Sequence, residues 1–230
     1  MGRVPWLRGN SRSFTLVELL VVIVIIGLLA GLSVPAISGA TAKAKSTECV
    51  NNLRQIGTAI NLFASENNGY LPYASGPNAA GSNNSYAFSH WEAPLAVIMG
   101  VGTGSGSFPN SSSFNNAKAK HPFNCPACKT GFRTYTANMR GMGFLPGGNT
   151  NYPQRKIASL VKSSQLILVA DDTLGDPAPA NGGQDFFDES SYTNRIGIRH
   201  GGRANALFGD FHVESITVSN LIASNNINTF

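Results

Sequence analysis

From Phe14 to Ile37 the chain runs FTLVELLVVIVIIGLLAGLSVPAI, apolar throughout except for a few small polar residues and one carboxylate, Glu18. A helix crosses the hydrocarbon core of a bilayer with about 20 residues, so this stretch is long enough to span. No chain that must bury such a run inside its own small core has an easy solution, because a helix that is apolar all round needs an apolar surrounding on every side. An ionised group at the centre of a spanning helix costs about 2.5–3.5 kcal/mol, less towards the interface, and usually marks function. Glu18 lies one helical turn from the start of the run, and no Lys or Arg follows it until Lys43. Ahead of the run, Met1 to Arg12 holds Arg3, Arg8 and Arg12 and no acid, a charge bias that keeps the amino terminus cytoplasmic.

A basic leader, a small residue, then Phe14-Thr15-Leu16-Val17-Glu18-Leu19-Leu20 and a long apolar helix resembles the prepilin signature of type IV pilins and type II secretion pseudopilins. The resemblance implies cleavage by a membrane prepilin peptidase between Ser13 and Phe14, N-methylation of Phe14, and assembly of the apolar helices into a filament. Ser13 stands where the family usually has glycine. Glu18 becomes the fifth mature residue, the one that in the family pairs with the free amine of a neighbouring subunit. Four residues of helix advance about 6 Å, so a staggered neighbour can bring its amine to this carboxylate. Pro35 occupies the place of a helix-bending proline in many family members. Two other readings share the topology: a secretory signal peptide with Ser38-Gly39-Ala40 as its cleavage site, and a plain signal anchor. The apolar run exceeds the 7–15 residues of an ordinary h-region, which favours the prepilin reading.

The resemblance divides the chain into a leader (1–13), a transmembrane helix (14–37) and an exported head (38–230). Roughly 190 residues remain after leader and span, one domain by length. Three of the formal net charges of +5 sit in the leader, so the mature chain carries +2. Its basic residues form no stripe, and no nucleic acid is expected as a partner. The expected partners are the prepilin peptidase, other pilin or pseudopilin subunits, the inner-membrane assembly platform and the membrane itself.

Within the head, Val50, Leu53, Ile56, Ile60 and Phe63 recur at spacings of three and four and predict an amphipathic helix over 41–67. Asn67-Asn68-Gly69 with Pro72 ends it. Residues 73–121 are rich in Gly, Ser and Asn and read as an insertion, with a short helix or packed turn around Trp91–Ile98. Strands follow over 165–216: Gln165–Ala170, an alternating Arg195–Arg199, and Ala204–Phe208 with Phe211–Ile216 about the hairpin residues Gly209-Asp210. The fold class is α+β: a type IV pilin-like fold with a long amino-terminal helix on a small antiparallel sheet.

Three further groups of residues invite a chemical reading. His200 and Asp210, with His212 close by, resemble the H-x9-D-G pattern of a bacterial pseudopilin-like subgroup, with Phe211 in place of the usual glycine. A structural hairpin is the favoured reading; a catalytic or metal set, and with it a membrane-anchored or secreted enzyme, is the alternative. Cys125 and Cys128 form a CxxC, for which a local disulfide is favoured in an oxidising compartment. Free thiols, pairing with Cys49, and a metal site with His121 stay open. Asp171, Asp172, Asp176, Asp185, Asp188 and Glu189 cluster in sequence, and the resemblance to major pseudopilins implies calcium as a candidate ligand. EF-hand spacing is missing there, and no other cofactor is expected. The function implied is structural and not enzymatic: a subunit of a periplasmic pseudopilus of a type II secretion system, or a type IV pilin for adhesion, motility or DNA uptake. It places the protein in a bacterial inner membrane, amino terminus cytoplasmic and head periplasmic.

Overall fold

The computed structural model of the protein describes residues 14–74, 91–101, 122–128, 134–143, 152–173, 186–187, 195–217 and 219–220. Two compact units divide the chain, residues 1–41 and 42–230. The helix α1 (Leu16–Glu66) contributes to both and includes Pro35. In the first unit it is the only regular element among the described residues, and each residue from Phe14 to Val34 is exposed.

In the second unit α1 behaves as its periodicity predicts. Leu53, Ile56 and Ile60 are fully buried, Ala59 and Ala64 lie beside them, and Phe63 packs at the margin. Burying side chains of this size contributes about 1.5–3 kcal/mol each relative to exposure. The helix ends as Asn68 and Gly69 take left-handed backbone angles, and the Gly69 amide bonds back to the Ala64 carbonyl at 2.8 Å, closing the last turn.

A five-stranded sheet receives this face: β1 (Tyr135–Asn138), β2 (Ile167–Asp171), β3 (Phe186–Phe187), β4 (Ala204–Phe208) and β5 (Val213–Ile216), in the order β3-β1-β2-β4-β5. β1, β2, β4 and β5 pair antiparallel. β3 lies parallel to β1 at one edge of this antiparallel set. Leu207 faces the same core as α1, while Ala204, Ala206 and Phe208 join Ile167, Ala170, Phe187 and Ile216 on the other side. This is the alternation that a strand's period of two requires. An irregularity between Ile167 and Val169 sends both Leu168 and Val169 to the α1 side, as a bulge does.

The short helix predicted around Trp91 is α2 (Glu92–Ile98). Arg195–Arg199 does not form a strand. Only Ile196 bridges, to Asp172 beyond the end of β2, before the chain turns at His200. Gly197 packs so closely there that a Cβ would meet the Asp172 carbonyl oxygen at 2.4 Å. A last helix, α3 (Met139–Met142), is capped by Asn138, whose side chain accepts from the Arg140 and Gly141 amides.

Gly57, which weakens the helix on propensity alone, has a packing reason. A Cβ there would come within 2.9 Å of Leu207 and 3.6 Å of Phe211, so the glycine lets the sheet approach the helix. Phe211 itself has φ 68°, a left-handed conformation that costs a non-glycine residue about 1–2 kcal/mol. Its ring packs on the core at Gly57, a contact glycine could not make.

Leu53→Ala is expected to cost about 2–5 kcal/mol, as for a buried leucine that leaves a cavity. Leu62→Ala, half-exposed on the opposite face, should stay within about 0.5 kcal/mol. Denaturant titration of the detergent-solubilised chain checks both, and equal losses would contradict this orientation of α1.

Candidate functional site

Among the described residues, two places carry chemistry. The first is the start of α1. Thr15 precedes the first helical residue and Glu18 is the third, the T-x-x-E spacing of a capping box. The bonds are reciprocal: the Glu18 amide donates to Thr15 Oγ1 at 3.3 Å, and the Thr15 amide donates to Glu18 Oε2 at 2.9 Å. The Thr15 hydroxyl donates to the same Oε2 at 2.8 Å. Glu18 thus satisfies a helix end that has no carbonyl partners of its own and adds negative charge where the helix dipole favours it. The T-x-x-E spacing of Thr15 and Glu18 is the sequence signal that marks this box.

Around Glu18 the helix presents an unbroken apolar surface, with Leu16, Ile23, Ile26, Leu29 and Leu32 each more than half exposed. The segment is long and apolar enough to cross a membrane. Its Ser33 hydroxyl donates to the Leu29 carbonyl at 2.7 Å, so that polar group is satisfied within the helix and needs no water. An exposed apolar area larger than a few hundred Å² marks a membrane or protein contact.

The second place is buried in the head. Cys49 of α1, Cys125 of the loop before β1, Asp171 at the end of β2 and His200 ahead of β4 bring one donor atom each within 4.8 Å of all the others. Local packing sets each position. Asn52, one turn from Cys49, donates to the Asn124 carbonyl at 3.0 Å, and Trp91 meets Phe123 edge-on at 5.9 Å. The first contact holds the Cys125 loop against α1, and the second ties it to the start of α2. Thr134 Oγ1 accepts from the Cys125 amide and donates to the Phe123 carbonyl. His200 is set by a turn in which Gly201 and Gly202 both take positive φ, closed by the His200 amide on the Arg203 carbonyl at 3.1 Å.

Inside the cluster, Cys49 Sγ donates to Asp171 Oδ1 at 3.2 Å, and the Asn205 amide donates to Oδ2 at 2.7 Å. The Tyr135 hydroxyl donates to Cys49 Sγ at 3.2 Å. His200 Nε2 lies 3.4 Å from Asp171 Oδ2 and 3.4 Å from Cys125 Sγ. Burial pulls the His200 pKa down, but its contacts with Asp171 and Cys125 outweigh that and raise it to about 9. The hydrogen bond with Cys49 draws the Cys125 thiol below its usual range against the effect of burial. Burial pushes Cys49 and Tyr135 up.

These positions revise several expectations. Cys125 and Cys128 are not joined as a disulfide in this structure. The Cys128 amide closes the CxxC turn on the Cys125 carbonyl, while Cys125 Sγ turns inward towards His200. His200 and Asp210 do not meet: β4, about 17 Å of extended chain, lies between them. Asp210 instead accepts from the His212 amide at 3.2 Å and pairs with its Nδ1 at the exposed hairpin, where the His212 ring stacks on Phe208 at 4.3 Å. That is the structural-hairpin arrangement for Asp210, and it separates the residues the enzyme alternative needs. Nor do Cys125, His200 and Asp171 form a nucleophile relay. A relay places the carboxylate on the other imidazole nitrogen, whereas here sulfur and carboxylate both approach Nε2.

Calcium does not fit at Asp171, whose neighbours are two thiols and an imidazole, because a hard cation takes oxygen ligands. Asp172 is buried beside it. Asp176, Asp185, Asp188, Glu189, His121 and Ser13 lie outside the described residues.

Residues 8–34 match the prokaryotic N-terminal methylation motif. The chain is 38% identical over 72 residues to the type IV major pilin protein PilA of Myxococcus xanthus, covering 31% of this chain and 33% of that protein. It is 41% identical over 61 residues to the type II secretion system core protein G of Pectobacterium carotovorum, covering 26% and 39%, and over 61 residues to that of Escherichia coli, covering 26% and 42%. The similarity thus covers less than half the length of each of these relatives. No solved structure matches the chain.

In the folded protein Cys128 should react first with a thiol reagent, since Cys49 and Cys125 are buried and Cys128 is partly exposed. Mass mapping with and without denaturant measures this. Rapid native labelling of Cys49 would contradict its place in the core.

Proposed function

We propose that the chain is a filament subunit of the pseudopilin type, anchored in the membrane by the first part of α1 and assembled through it. The observation that carries this reading is the exposed apolar helix bearing a single carboxylate near its start, in a segment that matches the methylation motif. An apolar surface of that extent needs lipid before assembly and the same helices of other subunits after it. Exchange between the two loses little hydrophobic energy, which suits a subunit extracted from a bilayer into a filament.

On this reading residues 1–13 are the leader, removed between Ser13 and Phe14 by a prepilin peptidase that also methylates Phe14. The three leader arginines hold that end in the cytoplasm, and the head folds on the periplasmic side of the inner membrane. Glu18 then serves two ends. Its Oε2 caps the helix through Thr15, and Oε1 accepts the Phe14 amine of a neighbouring subunit. The pairing offsets the burial of both charges, and an inner-membrane platform drives the stacking. The role is structural, without a catalytic step. The matches to core protein G favour the periplasmic pseudopilus of a type II secretion system. The match to the Myxococcus pilin supports the second reading, a surface pilus.

Two outcomes test the reading. Intact mass of the purified protein should correspond to a chain beginning at N-methylated Phe14; a start near Thr41 would mean an ordinary signal peptide. Glu18→Gln keeps an acceptor for the capping box but removes the charge. Membrane level should therefore be unchanged, while crosslinked or shear-released multimers fall steeply, because breaking one half of a buried pair costs about 3–5 kcal/mol. Wild-type polymer from this variant would remove Glu18 from assembly.

A further inference from the structure

We infer that Cys49, Cys125, Asp171 and His200 form a structural zinc site that clasps α1 to the sheet and the CxxC loop of the head. The geometry carries it. Zinc bound at about 2.3 Å to sulfur, 2.0–2.1 Å to imidazole nitrogen and 2.0–2.2 Å to carboxylate oxygen sets neighbouring ligand atoms roughly 3.3–3.8 Å apart in a tetrahedron. The spacings here are 3.2 Å from Cys49 Sγ to Asp171 Oδ1, 3.4 Å from Cys125 Sγ to His200 Nε2, and 3.4 Å from that nitrogen to Asp171 Oδ2. All four donors lie within 4.8 Å of one another. Small shifts would bring them to one centre. Four segments far apart in the chain contribute one ligand each.

The chemistry of the donors selects the metal class. Two thiolates and an imidazole favour zinc over calcium or magnesium, and the carboxylate is a fourth ligand that zinc accepts in a tetrahedral site. Four protein ligands fill the tetrahedron, so the site is closed and structural rather than catalytic. Burial agrees: Cys49 and Asp171 are fully buried, Cys125 is 2% exposed, and the His200 side chain 3%. Outer contacts are also in place. The Tyr135 hydroxyl donates to Cys49 Sγ and the Asn205 amide to Asp171 Oδ2, as such contacts orient ligands and tune affinity. Binding is a ligand exchange with proton release: both sulfurs coordinate as thiolates, His200 through neutral Nε2, and the displaced protons pass to solvent. Affinity therefore falls as pH falls.

The test uses the full chain, extracted in detergent under reducing, chelator-free conditions. Elemental analysis is expected to find one zinc per chain, and cobalt(II) put in its place to give the intense visible bands of a tetrahedral thiolate site. His200→Ala should lose the metal, whereas His200→Cys, which restores a zinc ligand, should retain it. Cys128→Ser should also retain it. Tyr135→Phe should weaken zinc binding about 10–100-fold without abolishing it. Chelation should lower the melting temperature of the wild type and leave that of His200→Ala unchanged. Folded wild-type protein that neither carries nor takes up zinc, or that links Cys49 to Cys125 as a disulfide, overturns the site. Loss of metal from Cys128→Ser, or retention by His200→Ala, overturns the ligand assignment. None of these outcomes depends on filament formation, so the site and the assembly reading stand or fall separately.

Discussion

The first part of α1 is apolar and exposed along its described length, and that constraint governs the rest of the molecule. From Phe14 to Val34 every residue is exposed, although leucine, valine and isoleucine dominate. Water is the wrong solvent for such a helix, since each square ångström of apolar surface left in it costs roughly 25 cal/mol. Lipid and other apolar helices are the two surroundings that remove the cost. A protein built this way is committed to a membrane, and an assembly of like helices is the natural exit from it.

Further along, the same helix changes solvent. Its polar face stays wet while Cys49, Leu53, Ile56 and Ile60 enter the core of the head. The fit there depends on shape as much as apolarity. Gly57 removes a side chain where Leu207 and Phe211 press in, and Phe211 holds an unfavourable backbone conformation in exchange for that contact. Asp171 adds a polar anchor in the same layer, joining the helix through Cys49 to β4 through Asn205. Removing the Cys49 thiol would leave Asp171 Oδ1 without its donor, while His200 and the Asn205 backbone amide still meet Oδ2.

Much of this was legible in the sequence. The apolar run, the three-and-four periodicity of Leu53, Ile56 and Ile60, and the Gly209-Asp210 hairpin each depend on residues close together in the chain. Such local patterns dictate element type directly. The buried cluster was not legible. Cys49 sits on the same helical face as Leu53, Ile56 and Ile60, where a cysteine reads as one more small apolar residue. Cys125, Asp171 and His200 meet it only through tertiary packing; of the pairings the sequence leaves open, only that of Cys49 with the CxxC anticipates any part of the cluster. Asp171 read as one member of an acidic loop because nothing local marks it as the buried end of β2. The parallel placement of β3 is likewise a property of how the chain returns to the sheet, not of Phe186 and Phe187 themselves.

The central claim, that the apolar part of α1 is the assembly surface, is tested most directly by a photoreactive side chain introduced at Ile26, which is exposed in the single chain. Irradiation of cells making the processed protein should yield a ladder of dimers and higher multimers linked through this helix. A product confined to monomer and lipid adducts, with the protein processed and present at its normal level, would contradict the claim and leave the helix as a membrane anchor alone.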